Sequence, residues 1–188
     1  MTAVSSRLNV SLSTTSYYKK WSVCVHKRLF SLVVSAAILL GINAGCDRGE
    51  HPGNIDKPAP QFVMSDGGTT IDLVKLRGRI VVLNLWASWC APCVEELPSL
   101  LELQRRMPTL AVVGVSIDQD PDVYRQFLVK HHVDLTTVRD ADQKVNALYG
   151  TVQIPETYII DRNGLIRRKL VGPQDWTSPE ITGYLAKL

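Results

Sequence analysis

Two cysteines three positions apart carry the clearest chemistry in this sequence. Cys90 and Cys93 follow residues 80–86, an apolar stretch that is interrupted by Asn84 alone. A Cys-x-x-Cys pair can pass between a dithiol and a disulfide when a thiolate attacks the disulfide of another protein. The sequence therefore predicts thiol–disulfide exchange, with Cys90 as the attacking thiol and Cys93 as the resolving thiol.

The residues around the pair predict the elements that hold it. The apolar stretch is typical of a strand buried on both faces. After the pair, Val94, Leu97 and Leu100 follow helical spacing, so we expect Cys90 in the first turn of a helix. Unpaired N–H groups and the helix dipole stabilise a thiolate there. Pro92 suits the first turn, where its missing N–H would have no partner.

A zinc site is the alternative chemistry for the pair. Structural zinc commonly takes four ligands, often from a second Cys-x-x-Cys or a pair of histidines. The other cysteines stand alone, and His131 and His132 are adjacent instead of spaced as ligands. The pattern favours redox chemistry with no metal and no cofactor, and it predicts that both histidines are exposed at a helix end.

The totals limit the classes of function. The 188 residues fit one domain plus an extension, and the formal charge is +3. Residues 1–46 hold five basic residues and no acidic residue, so the remainder carries 16 basic against 18 acidic residues. The excess of positive charge belongs to the N-terminal segment, and no nucleic-acid partner is expected.

Residues 1–46 are predicted to be a lead with a signal or lipoprotein-type segment. Two basic residues precede an apolar run over 29–42, which is short for a membrane span and suited to a signal-peptide core. Small residues before Cys46 resemble a bacterial lipobox, although Asn43 stands where leucine is usual. We expect lipidation of Cys46, with ordinary cleavage and an uncleaved anchor as alternatives. Cys24 is interpreted as incidental.

The rest of the chain is interpreted as a tether over 47–57 and one domain over 58–188. Residues 47–57 are polar and contain Gly and Pro, a composition that is typical of a linker. The domain pattern predicts strands at 58–64, 69–73, 80–86, 110–117, 157–160 and 165–171, and a short strand or loop at 133–138. It predicts one helix that begins at residue 90 and others at 123–131, 145–149 and 178–188. The apolar stripe of the second helix is predicted to be Val123, Phe127 and Leu128. Periodicity alone indicates an α/β domain with a mixed sheet.

Residues 84–93 resemble the active site of the thioredoxin superfamily. Trp89-Cys90-Ala91-Pro92-Cys93 is similar to the family's Trp-Cys-x-Pro-Cys, and the approach strand resembles that of the TlpA/ResA/CcmG (DsbE)-like branch of membrane-tethered thiol–disulfide oxidoreductases. The likeness extends from about residue 58 to the C-terminus. It implies a thioredoxin fold, in which helices flank a mixed central sheet, with an added N-terminal β-hairpin.

The resemblance also implies a proton-carrying acid. The family has a partly buried acid at the position of Glu96, and thioredoxins proper have a buried aspartate at the position of Asn84. A carboxyl group in apolar surroundings has a raised pKa and can take the proton from Cys93. The alternative is that Glu95 and Glu96 are ordinary acids near a helix start; we expect Glu95 to be solvated.

A second loop is expected to face the cysteines. By the resemblance, Pro155 is the family's cis-proline, and the backbone of Ile154 pairs with a bound polypeptide in the manner of an added strand. Trp89, Ala91 and Pro92 complete the predicted substrate-binding residues.

These features predict a reductase of protein disulfides in the cell envelope, tethered to the outer (periplasmic) face of the cytoplasmic membrane. Its partners would be disulfide-containing or dithiol clients, such as apocytochrome c, and a membrane protein that donates electrons. One alternative is a peroxiredoxin-like peroxide reductase. That group usually has threonine at the position of Ala87, so the alanine argues against this alternative. The other is a binding module with a structural disulfide. Oxidase or isomerase activity also stays open, because the Ala91-Pro92 dipeptide does not by itself set the reduction potential.

Overall fold

The computed structural model describes residues 54–188. The predicted signal segment, Cys24, Cys46 and most of the predicted tether lie outside these residues. Within 54–188, no helix combines the length and the apolar character that a membrane crossing requires.

The described chain contains seven strands and four helices. In chain order they are β1 (Val63–Asp66), β2 (Thr69–Asp72), β3 (Val81–Trp86), α1 (Ala91–Arg106), β4 (Ala111–Ser116), α2 (Pro121–Lys130), β5 (Thr136–Arg139), α3 (Lys144–Tyr149), β6 (Glu156–Ile160), β7 (Ile166–Val171) and α4 (Pro179–Leu185). Five strands form a sheet in the order β5-β4-β3-β6-β7. The sheet is mixed as predicted, since β3 runs parallel to β4 and antiparallel to β6.

The predicted hairpin is present, but its first strand is shorter than expected. β1 and β2 pair antiparallel in a separate two-stranded sheet and are joined by Gly67 and Gly68, both with positive φ. The prediction placed the first strand at 58–64, whereas β1 begins at Val63. Two prolines in that range lack the N–H that a strand ladder needs, and Pro58 forms an isolated bridge with Leu165 instead.

The central sheet buries apolar side chains on both faces. Every residue of β3 is buried, and alternate side chains point to opposite faces. On one face Val81, Leu83 and Leu85 join a core that includes residues of the β1–β2 hairpin and α3. On the other face Ile80 and Val82 join a core built from α1, α4 and the segment before α4. β3 is therefore held at the centre, and its last residue leads directly to the cysteines.

The predicted apolar stripe of α2 was wrong at one position. Val123 is 48% exposed, and the neighbouring Tyr124 is buried with Phe127. The Tyr124 hydroxyl donates to Thr137 Oγ1 at 3.3 Å, so the aromatic ring can be buried without leaving its polar end unpaired. The predicted stripe left this tyrosine out because its hydroxyl makes it partly polar.

Candidate active site

The start of α1 carries the cysteine pair. Cys90 is the N-cap residue, with φ −87° and ψ 102°, and its Sγ accepts the N–H of Cys93 at 3.3 Å. That N–H is one of the first donors of the helix, which have no intrahelical acceptor. The predicted placement at a helix start is confirmed, at the cap itself. Pro92 occupies the first turn, as expected.

Cys90 and Cys93 form a disulfide, with their Cα atoms 5.3 Å apart. The two residues are 6% and 5% exposed, so burial does not distinguish them. Their positions do, because Cys90 faces the free N–H groups of the helix and Cys93 lies within its first turn. A thiolate is therefore better stabilised at Cys90 than at Cys93.

An apolar cluster surrounds the inner side of the pair. Its buried members beside the cysteines are Trp86, Ala87, Leu97, Tyr124 and Phe127. Trp86 is packed in this cluster, with its ring centroid 5.3 Å from that of Phe127. Burial raises the pKa of Tyr124 to about 12, so its hydroxyl remains a neutral donor. The cluster excludes water from one side of the disulfide.

Asp118 holds the turn that delivers Cys90. It is 2% exposed and accepts the Ser88 N–H at 3.0 Å and the Ser88 hydroxyl at 2.7 Å. It also accepts the Ser116 hydroxyl at 2.5 Å. The turn after β3 is thereby tied to the end of β4. Asp118 was not among the predicted site residues, although an acid directly after a predicted buried strand was a usable signal.

Glu96 is a buried carboxylate one turn beyond Cys93. It is 3% exposed. Its Oε1 accepts the Asn84 Nδ2–H at 2.8 Å, and its Oε2 accepts the Gln174 N–H at 3.0 Å and the Trp176 Nε1–H at 3.2 Å. Burial raises the pKa of Glu96, and the three hydrogen bonds oppose that shift. A buried carboxyl whose pKa is raised in this way holds a proton more readily than an exposed one.

Asn84 occupies the strand position at which thioredoxins have a buried aspartate, and here its amide donates a hydrogen bond to Glu96. Asn84 is 4% exposed, and its Nδ2 also donates to Thr157 Oγ1 at 2.9 Å, which links β3 to β6. Glu95, in contrast, is exposed, as expected. The acid of this site therefore lies on the helix and not on the strand.

The second loop meets the same cluster. The Ile154–Pro155 peptide bond is cis, as the resemblance implied. Pro155 is buried, and Ile154 packs, partly buried, against the cluster that contains both cysteines. Next to Cys90 in the chain, Trp89 is 66% exposed and Ala91 is exposed. Groups that could contact a polypeptide are thus present beside the disulfide.

A buried ion pair that the sequence analysis did not identify lies directly after this loop. Glu156 is fully buried; its Oε1 forms an ion pair with Lys169 Nζ at 3.0 Å and accepts the Thr151 hydroxyl at 2.6 Å. The Tyr158 hydroxyl donates to the same oxygen. These contacts join β6, β7 and the segment that leads to Ile154. An acid directly after the predicted cis-proline was the available signal.

The histidines do not assemble a metal site. His132 is exposed as predicted, but His131 is half-buried because its ring stacks on Phe127 at a centroid distance of 4.2 Å. Over residues 54–188, no three side chains of the metal-binding types come together.

Comparisons with known proteins agree with this geometry. The sequence profile of the AhpC/TSA family matches residues 55–169. Thiol-disulfide oxidoreductase ResA of Bacillus thuringiensis (strain Al Hakam) is 30% identical over 160 residues, which cover 84% of this chain and 91% of the relative. Thiol:disulfide interchange protein DsbE of Pseudomonas fluorescens biotype C is 32% identical over 161 residues, which cover 84% and 88%.

Solved structures show the same architecture. A thiol:disulfide interchange protein DsbE from Chlorobium tepidum has a TM-score of 0.65 at 26% identity, with coverage of 69% of this chain and 94% of that one. The thioredoxin domain of a Bacteroides vulgatus thiol-disulfide oxidoreductase has a TM-score of 0.62 at 21% identity, with coverage of 71% and 96%. The predicted thioredoxin fold is confirmed. By its sequence matches and its cysteine pair at a helix start, the chain belongs to the AhpC/TSA family and is a thiol–disulfide oxidoreductase of the ResA and DsbE type.

Proposed function

We propose that this protein reduces disulfides in client proteins at the outer face of the cytoplasmic membrane. One observation carries the proposal, namely a Cys-x-x-Cys pair at a helix N-cap with the buried Glu96 one turn beyond the second cysteine. Such a site can both attack a client disulfide and resolve the product.

The reaction has two exchange steps. The Cys90 thiolate attacks one sulfur of the client disulfide, forms a mixed disulfide and releases the other client sulfur as a thiolate, which takes up a proton. Cys93 then gives its proton to the Glu96 carboxylate and attacks the sulfur of Cys90. The Cys90–Cys93 disulfide forms, and the second client sulfur leaves and is protonated. Two electrons have passed to the client, and a membrane donor protein supplies two further electrons that reduce the Cys90–Cys93 disulfide again.

Client recognition is proposed at the loop of Ile154 and Pro155 and at the exposed rim of the pair. The position of Ile154 against the cysteine cluster supports strand-like pairing of its backbone with an extended client segment. The exposure of Trp89 and Ala91 supports apolar contact with the same segment. Pro92, between Ala91 and Cys93 in the chain, is proposed to belong to the same contact surface. Apocytochrome c, with its Cys-x-x-Cys-His haem site, is the client that the resemblance to the TlpA/ResA/CcmG-like branch favours.

The reduction potential of the pair tests the direction. We expect a value nearer to about −270 mV, typical of reducing thioredoxin, than to about −120 mV, typical of oxidising DsbA. We also expect the dithiol form to reduce a disulfide-bonded Cys-x-x-Cys-His peptide. A potential at the oxidising end would contradict the proposal, and consumption of hydrogen peroxide without peptide reduction would favour the peroxide reductase.

The pH dependence of client release tests the proton role of Glu96. Its carboxylate must be ionised to accept a proton, so release should be fast above the raised pKa and should fail as the pH falls through it. In Glu96→Gln this inflection should disappear, and release at neutral pH should slow about 100-fold. Single-turnover release from the mixed disulfide measures both. Glu95→Gln, in the exposed neighbour, should keep the wild-type profile; an unchanged profile in Glu96→Gln would reject the role.

The membrane tether is proposed on the sequence of residues 1–46 alone. If Cys46 carries the lipid, the protein should incorporate labelled palmitate and sediment with membranes, and Cys46→Ser should lose the label. Label that persists in Cys46→Ser would exclude lipidation at that residue.

A further inference from the structure

We propose that Trp176 is a positioning residue, whose indole N–H keeps the Glu96 carboxylate ready to accept the proton of Cys93. This inference rests on the proposed proton role of Glu96 and adds a partner that lies 80 residues away in the sequence. Trp176 belongs to the segment between β7 and α4, outside the cysteine motif and the Pro155 loop.

Packing determines where the indole lies. Trp176 is fully buried in the core cluster that α1 and α4 share, together with Leu100, Leu103 and Ile181. The ring is therefore held by apolar contacts on several sides. Its one polar atom, Nε1, is left 3.2 Å from Glu96 Oε2.

The backbone of the same segment adds a second donor. The Gln174 N–H lies 3.0 Å from the same Oε2 oxygen. Ser99, on α1, fastens the segment to the helix of Glu96, since its Oγ accepts the Trp176 N–H at 3.2 Å. The same Oγ lies 2.8 Å from the Glu96 carbonyl oxygen and 3.2 Å from that of Gln174. These hydrogen bonds thus fix the position of the segment relative to the Glu96 carboxylate.

All the groups that hydrogen-bond to the Glu96 carboxylate are neutral donors. β3 supplies the Asn84 amide, which is itself bound to Thr157 of β6, and the segment before α4 supplies Gln174 and Trp176. Within the described residues, Glu96 forms no ion pair. Burial of the carboxylate is therefore opposed by hydrogen bonds alone.

An indole N–H donates a hydrogen bond and accepts none. It stabilises the ionised carboxylate but offers no acceptor to a protonated carboxyl group. Removal of this donor should therefore shift Glu96 toward its protonated form, so that a higher pH is needed before it can accept the proton of Cys93.

The test follows the Glu96 carboxyl directly, by ¹³C NMR titration of the oxidised full-length protein. Trp176→Phe keeps a buried ring and removes the N–H, and we expect the proton affinity of Glu96 to rise about tenfold, an upward shift of about one pH unit. Tyr184→Phe is the matched control. It also removes a donor beside this core cluster, but the Tyr184 hydroxyl donates to the Arg167 carbonyl oxygen and not to Glu96. Its Glu96 titration should equal that of the wild type.

A second variant tests the same inference if Trp176→Phe does not fold. Ser99→Ala removes the hydroxyl that fastens the segment and should shift the Glu96 midpoint upward by a smaller amount. A wild-type midpoint in the folded variants would overturn the inference. The pH profile of client release should move with the midpoint, and Trp176→Phe should add nothing in a Glu96→Gln background. A moved midpoint with an unmoved release profile would reject the proton role of Glu96 while leaving its coupling to Trp176 intact.

Discussion

Cys90→Ser should reduce the catalysed reduction of protein disulfides to the background rate, whereas Cys93→Ser should trap the client as a mixed disulfide on Cys90. The difference follows from the helix start, where the Cys90 sulfur meets the N–H of Cys93 and Cys93 itself lies inside the first turn. Without the N-cap sulfur no attacking thiolate remains, and without the second sulfur the first step has no resolution. Insulin reduction measures the overall rate, and mass spectrometry under non-reducing conditions measures the trapped client.

The assignment of the two roles can fail clearly. If Cys90→Ser traps client on Cys93 at the rate at which Cys93→Ser traps it on Cys90, the position at the helix cap does not determine the attacking residue. The double variant Cys90→Ser/Cys93→Ser is the control for disulfides formed with neither cysteine of the pair.

Lys169→Met should lower the free energy of unfolding by about 3–5 kcal/mol, since it leaves the charge of Glu156 without its partner in the interior. Lys169 and Glu156 are 3% and 0% exposed at their side chains, and their charged atoms lie 3.0 Å apart. The double variant Glu156→Gln/Lys169→Met should recover much of the loss, because no unpaired charge remains. Urea unfolding at neutral pH measures all three proteins.

An exposed ion pair provides the control for that measurement. Arg125 and Asp122 are paired on α2 with side chains 59% and 73% exposed, and Arg125→Met should change stability by less than about 1 kcal/mol. If Lys169→Met costs no more than this control, the pair does not hold the strands together. Because the pair directly follows the Ile154–Pro155 loop, weaker client binding should accompany the loss of stability.

The chemistry of this protein was readable from short stretches of sequence. Cys90 and Cys93 lie within one helical turn, and Pro92 lies between them, so the sulfurs and the helix start are local features that spacing reveals. The apolar run before the pair indicated a central strand for the same reason. The cis bond at Pro155 and the proton role proposed for Glu96 were expected from resemblance alone, because no local pattern distinguishes these residues from ordinary ones.

Tertiary structure alone decided what surrounds that chemistry. Glu96 is buried and accepts hydrogen bonds from residues 12, 78 and 80 positions away, and Glu156 finds its cation on the neighbouring strand β7. Such partners have no fixed spacing, since any loop length that closes the fold can bring them together. Burial also depends on the complete packing of helices against the sheet, which placed Tyr124 inside and Val123 outside. The sequence therefore determined where the cysteine pair lies, and the fold determined which groups hydrogen-bond to Glu96.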